Sequence, residues 1–160
     1  NDEDRSIQGQ RDPKSIYGFT NTLKYKNFTF SFYLYGVTGV TKQNTLKTDD
    51  VWGEVRRNTT KKDWWTPDNP TNDYYANDED AHLEGGSYYE NASFMRIKDV
   101  SLSYDVPVKM KKNGFNNLRV YVAARNLMTF TEFGGLDPEF SSQRGIPLEK
   151  EFLVGLIFGL

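Results

Sequence analysis

The sequence predicts an all-β chain, a segment of an antiparallel transmembrane β-barrel. Three observations carry this. Five runs of about 10 to 14 residues alternate apolar and polar side chains with period two. Soluble strands are usually about 5 or 6 residues, whereas a tilted membrane-spanning strand needs about 9 to 11. The connectors between the runs alternate short and long, as periplasmic turns and external loops do in outer-membrane barrels.

The first run, residues 16–26, places Tyr17, Phe19, Leu23 and Tyr25 on one face and Gly18, Thr20, Thr22, Lys24 and Lys26 on the other, with Asn21 interrupting the apolar side. A tight turn at Lys26-Asn27 leads into residues 28–40, so the two runs read as a hairpin. There Phe28, Phe30, Phe32 and Leu34 oppose Thr29, Ser31, Tyr33 and Tyr35. Residues 41–92 lose periodicity and hold Trp52, Trp64, Trp65, two prolines and an Asn/Asp-rich stretch, which predicts a long functional loop with at most a short insert. In residues 93–106, Val100, Leu102, Tyr104 and Val106 share one phase and Met95 and Ile97 the other. The slip near Asp99 predicts a bulge. Pro107 to Asn117 is a short basic connector. Residues 118–130 set Leu118, Val120, Val122 and Ala124 against Arg119, Tyr121, Ala123 and Arg125. A second loop spans 131–148, with Gly134-Gly135 and Asp137-Pro138. The last run, 150–160, aligns Phe152, Val154, Leu156, Phe158 and Leu160.

On this reading Phe28, Phe30, Phe32, Leu34, Val120, Val122, Phe152, Val154, Leu156 and Phe158 face lipid. Tyr33, Tyr35, Arg119, Tyr121 and Arg125 line the lumen. Five strands cannot close a barrel, because open edges in lipid leave backbone groups unsatisfied. The remaining strands must come from an upstream part of the same protein or from another chain. The 37% hydrophobic content and mean hydropathy of −0.71 exclude a helical membrane protein, yet they are compatible with a barrel whose strands turn half their residues to a polar lumen. A formal charge of −2 argues against nucleic acid as a partner. Without cysteine the chain has no disulfide, zinc-thiolate site or thiol nucleophile.

The ordered set of segments SIYGFTNTLKYKNFTFSFYLYGVTG (15–39), WWTPDNPT (64–71), ASFMRIKDVSLSYDVP (92–107), NLRVYVAARNLMTFTEFGGLDPE (117–139) and EFLVGLIFGL (151–160) resembles the C-terminal part of SusC/RagA-type TonB-linked (TonB-dependent) outer-membrane proteins, the nutrient importers of Bacteroidota. The resemblance implies about five strands of a 22-stranded barrel, about the size known for plugged outer-membrane transporters, and a plug outside this chain. It implies a TonB complex as energy source, a SusD-like surface lipoprotein as lid, outer-membrane lipid around the wall, and oligosaccharide or peptide as substrate. The closing Phe158-Gly159-Leu160 resembles a barrel-assembly signal, but Leu160 stands where such proteins commonly end in Phe.

The residues offer little for catalysis. His82 is the sole histidine and lies in a loop, so no catalytic residue is expected and an outer-membrane hydrolase would have to use it. Asp78, Glu79, Asp80 and Glu84 supply oxygen ligands but match no calcium-loop spacing, so no metal or cofactor is expected. Neither Gly-rich stretch has the Lys-Ser/Thr of a phosphate loop. The loop aromatics Trp52, Trp64, Trp65, Tyr74, Tyr75, Tyr88 and Tyr89 are the candidates for substrate or lid contact, since rings stack on sugars and anchor protein interfaces; the alternative is that they fold the loop on itself. The rival reading of the whole chain is a soluble β-sandwich carbohydrate-binding module. It explains the alternation and the aromatics but not the strand lengths or the connector parity.

Overall fold

A computed structural model describes residues 7, 9–44, 63–71, 89–107, 117–140 and 146–159. Five long strands build one antiparallel sheet: β1 (Ser15–Tyr25), β2 (Phe28–Thr38), β5 (Phe94–Val106), β6 (Asn117–Thr131) and β7 (Glu151–Gly159), in the order β1-β2-β5-β6-β7. Two three-residue strands, β3 (Thr41–Gln43) and β4 (Tyr89–Asn91), pair as a separate stem at the base of the long 41–92 connector. No helix among the described residues is long and apolar enough to cross a membrane, which says nothing about strands.

The β1–β2 hairpin turns on two residues. Lys26 takes the left-handed conformation (φ 51°), which lets Tyr25 pair directly with Phe28. Asn27 then ties the turn to the next strand: its Nδ2 donates to the Asp105 carbonyl at 2.7 Å, and its own carbonyl accepts from the Asp105 N–H at 2.9 Å.

Partners directly across an antiparallel ladder share a face, so the registers sort the side chains into two sets. One is apolar: Tyr25, Phe28, Tyr104, Val120, Leu156 in one row, and Leu23, Phe30, Leu102, Val122, Val154 in the next. The opposite set runs Thr22, Ser31, Ser101, Ala123, Leu153, then Thr20, Tyr33, Asp99, Arg125, Glu151. This second face is polar over most of its extent, although Leu153 and Ile157 make β7 apolar on both sides.

The predicted phase slip is a bulge. Tyr33 pairs with Asp99, but its neighbour Leu34 pairs with Ile97, so Lys98 is the extra residue. The bulge returns Met95 and Ile97 to the same face as Val100 and Leu102, and it keeps the apolar face continuous along β5. On β6 the same irregularity falls at Asn126, which adopts φ 49°.

The apolar face has no second layer over it among the described residues. Val154 is 80% exposed and Phe152 73%; Phe28, Leu102, Val122, Leu156 and Phe158 are also exposed. The buried cluster is small and lies elsewhere: Val37, Val40, Ala92, Phe94 and Phe133, with Tyr35 packed against it. Val37, Tyr35 and Phe94 are in the polar phase of their strands, so this cluster sits on the polar face at the end of the sheet remote from the Lys26-Asn27 turn.

Candidate functional site

The polar face carries three constellations. The first lies at the turn end. Arg119 of β6 pairs directly with Asp105 of β5 and forms a two-pronged bond, Nε to Oδ1 at 2.6 Å and Nη2 to Oδ2 at 3.0 Å. Both side chains stay well exposed, so the pair contributes little to stability.

The second lies at mid-sheet. Tyr33 leans over Gly18 of β1: a Cβ built on Gly18 would meet the ring and hydroxyl at 3.0–3.1 Å. Tyr121 leans the other way, over Gly155 of β7, where a Cβ would lie 2.4 Å from the ring. Glycine at both places lets a tyrosine lie across the neighbouring strand. Because the two rings lean apart, a depression of about 270 Å³ opens between them, lined by Ser31, Ser101 and Ala123 and bounded by Asp99 and Arg125. Arg125 is shared between Asp99 (3.5 Å) and Glu151 (3.4 Å), all three exposed.

The third, at the loop end, is the tightest. Arg96 of β5 is 1% exposed and donates from three nitrogens: Nε to Thr129 Oγ1 (2.9 Å), Nη1 to Glu139 Oε2 (2.8 Å) and Nη2 to Asp137 Oδ1 (2.8 Å). Its guanidinium carbon also lies 5.3 Å from the centroid of the Phe94 ring. A buried guanidinium survives only when its charge and its fork of donors are matched, and here two carboxylates and a hydroxyl match them. Asp137 Oδ1 also accepts the Glu139 N–H at 2.9 Å and Oδ2 the Leu148 N–H at 3.4 Å, which closes the Asp-Pro-Glu turn and ties both limbs of the loop. From the β3–β4 stem, Lys42 donates to the carbonyls of Pro138 and Phe140. Burial pushes the Lys42 ammonium below its usual range, and Asp137 and Glu139 pull it partly back. On the partner strand, Glu90 Oε2 accepts from the Gly134 N–H (2.9 Å) and from Asn44 Nδ2 (3.2 Å). Stem and loop therefore hold each other over the Val37–Phe94–Phe133 cluster.

The residues singled out from the sequence distribute as follows. Tyr33, Tyr35, Arg119, Tyr121 and Arg125 all lie on the polar face, and Phe28, Phe30, Phe32, Leu34, Val120, Val122, Phe152, Val154, Leu156 and Phe158 all lie on the apolar one. Trp64 is half-buried and Trp65 exposed in a small turn closed by the Thr66–Asn69 bridge. Tyr89 is an exposed residue of β4 rather than of an open loop. Trp52, Tyr74, Tyr75, Tyr88, His82 and the acidic cluster at 78–84 lie outside the described residues. Sequence reasoning did not single out Arg96, Asp137, Glu139 or Lys42. The available signal was an arginine in the polar phase of a strand, with Asp-Pro-Glu closing a distant loop.

The comparisons with known proteins bear on what this sheet belongs to. The chain is 36% identical over 146 residues to TonB-dependent receptor P26 of Formosa agariphila, an alignment covering 88% of this chain and 15% of that protein. It is 26% identical over 154 residues to TonB-dependent receptor SusC of Bacteroides thetaiotaomicron, covering 88% of this chain and 14% of SusC. Its fold matches the RagAB peptide importer in the closed-closed state with a TM-score of 0.73 and 26% identity, over 95% of this chain and 18% of that one. By sequence and by fold the segment is similar to the SusC/RagA-type TonB-dependent receptors. These are outer-membrane β-barrel proteins, and an all-β antiparallel sheet with a bare apolar face is what such a wall requires. No family model matches the chain. The chain spans about 15% of the length of the curated relatives it matches, and the names those relatives carry are of receptors.

Proposed function

We propose that this segment is part of the wall of a TonB-dependent nutrient importer that moves oligosaccharides or peptides across the outer membrane to the periplasm. The observation that carries the reading is the two-faced sheet. One face presents an uncovered ladder of Phe, Val and Leu, from Phe28 to Phe158, for lipid; the other presents Tyr33, Tyr35, Arg119, Tyr121 and Arg125 to a lumen. A sandwich module would cover its apolar face with a second sheet, and none does so among the described residues.

In this arrangement the Lys26-Asn27 turn is periplasmic, and the 41–92 and 131–148 connectors are external. Trp52, Trp64, Trp65, Tyr74, Tyr75, Tyr88 and Tyr89 are then placed to meet substrate or a SusD-like lipoprotein lid. The rest of the barrel, its plug and the TonB-contacting segment lie in parts of the protein beyond these 160 residues. The role of this segment is binding and passage, with no bond made or broken.

The reading is tested by deleting the full-length protein from its own cell and measuring uptake of fluorescent oligosaccharide and peptide pools, with and without an active TonB complex. TonB-dependent loss of uptake for one pool is expected. Unchanged uptake of both, or recovery of the segment as a water-soluble monomer, would overturn it.

A further inference from the structure

We propose that residues 133–140 form a fixed constriction at the mouth of the translocation path, and that Arg96 is the positioning residue that holds it there. The proposal rests on the importer reading for which side of the wall is the path.

The placement comes from the anchors. The residues of the five-stranded sheet that hold the segment lie on the polar face: Val37 of β2, Phe94 and Arg96 of β5, the last bonded to Thr129 of β6, and the bulge residue Lys98, which reaches Glu139 at 3.9 Å and lies over the polar-phase ring of Tyr35. A loop tied to those positions folds inward over the path. A loop tied to Met95, Ile97 or Phe130, in the opposite phase, would lie along the outer wall.

The fixity comes from the number and burial of the ties. Elements that open and close are drawn from regions with few buried contacts. Here Phe133 is 5% exposed within the cluster, Asp137 is 5% exposed, and Arg96 is bonded to three partners. The segment is also gripped from its far side: Lys42 of β3 holds the Pro138 and Phe140 carbonyls, and Glu90 of β4 holds the Gly134 N–H. The β3–β4 stem and the 133–140 segment thus form one ledge, with Arg96 as its attachment to the wall. Removing one partner of a buried ion pair leaves the others uncompensated, so loss of Arg96 frees the ledge without touching a lipid-facing residue.

The test uses the full-length protein in the outer membrane of intact cells. Tyr33→Cys places a reporter thiol on the polar face beside the row that holds Arg96, and the segment has no cysteine of its own. Maleimide-polymers of graded mass are applied from outside. A second reporter is a spin-label pair on Gln43 and Leu136, across the stem and the loop. Heat-modifiable gel mobility checks that each variant forms a barrel. Arg96→Met is expected to raise the largest polymer that labels the reporter thiol at least twofold in mass and to broaden the spin-pair distance distribution, with a smaller change for Glu139→Gln. Should Arg96→Met fail to form a barrel, Arg96→Lys keeps a charge but cannot span both carboxylates, and it must move both readouts in the same direction. A folded variant with an unchanged size limit and an unchanged distance distribution overturns the proposal. Import by the wild type is scored separately: a wild type that imports nothing removes the importer reading and leaves the comparison of ledge and mouth standing.

Discussion

Arginine placed at graded depths on the apolar face separates a lipid contact from a protein contact. Val122 sits mid-ladder, flanked by Leu102 and Val154, and is 46% exposed. Leu118 lies on the same face of the same strand, nearer the turn end. At about 3.4 Å of rise per residue, the offset between them is about 14 Å along the strand, or about 10 Å of depth at a tilt near 45°. The apolar band of an outer-membrane barrel is about 25 Å tall, so its midplane lies about 12 Å from either rim. Leu118 therefore falls near the rim and Val122 near the centre. Arginine costs about 2–4 kcal/mol at the midplane and about 0–1 at the interfaces. Val122→Arg is expected to lose about 2–4 kcal/mol of barrel stability and Leu118→Arg about 0–1, while Ala123→Arg, one residue on but facing the lumen, stays within about 1 kcal/mol. Guanidinium titration of the full-length protein in lipid vesicles, read by heat-modifiable gel mobility, measures all three. Equal losses at Leu118 and Val122, or the largest loss at Ala123, would refute the assignment of the faces.

Further outcomes follow from single residues. Asn126 holds φ 49° and donates from Nδ2 to the Glu149 carbonyl at 3.1 Å; Asn126→Val is expected to cost about 1–2 kcal/mol, since a β-branched residue is strained there, while Asn126→Gly stays within about 0.5 in the same titration. Asn21 sits on the apolar face of β1 with its buried Oδ1 unpartnered among the described residues. Asn21→Leu should therefore stabilise by about 1 kcal/mol, and destabilisation would reveal a donor on a neighbouring strand. For Lys42, burial lowers the folded-state pKa, so the undocked form binds more protons in the interval between the lowered and the ordinary lysine values. Docking of the β3–β4 stem then strengthens as pH rises through that interval; a Gln43–Leu136 spin-pair distribution that widens on alkalinisation would contradict this.

Much of the fold was legible because a half-buried strand prints its period on the sequence. The starts and ends of β1, β2, β5, β6 and β7 fall within about two residues of the alternating runs. The slip at Asp99 marks Lys98, because one extra residue inverts the phase of everything beyond it. The β3–β4 stem was not legible: strands of three residues are too short to show a period, and their pairing joins positions that a long loop separates. Tyr33, Tyr35, Arg119, Tyr121 and Arg125 share one face, as their phase in the alternation dictates, and Arg119 and Arg125 find carboxylates on the adjacent strands of that face. The Arg96 ledge escaped for a different reason. Its partners Asp137 and Glu139 lie 41 and 43 residues away, and nothing in the local pattern distinguishes a buried arginine from a solvated one. Only the course of residues 133–140 over the polar face brings them together.

The central claim is that hydrocarbon touches the apolar face. Nitroxides at Phe30 and Val154 of the full-length protein in vesicles, with Ser31 and Ala123 as polar-face controls, test it by paramagnetic relaxation. The account predicts strong relaxation by oxygen and weak relaxation by a water-soluble nickel complex at Phe30 and Val154. Efficient relaxation by nickel at those two sites, or immobilised labels shielded from both reagents by a protein layer, would contradict it.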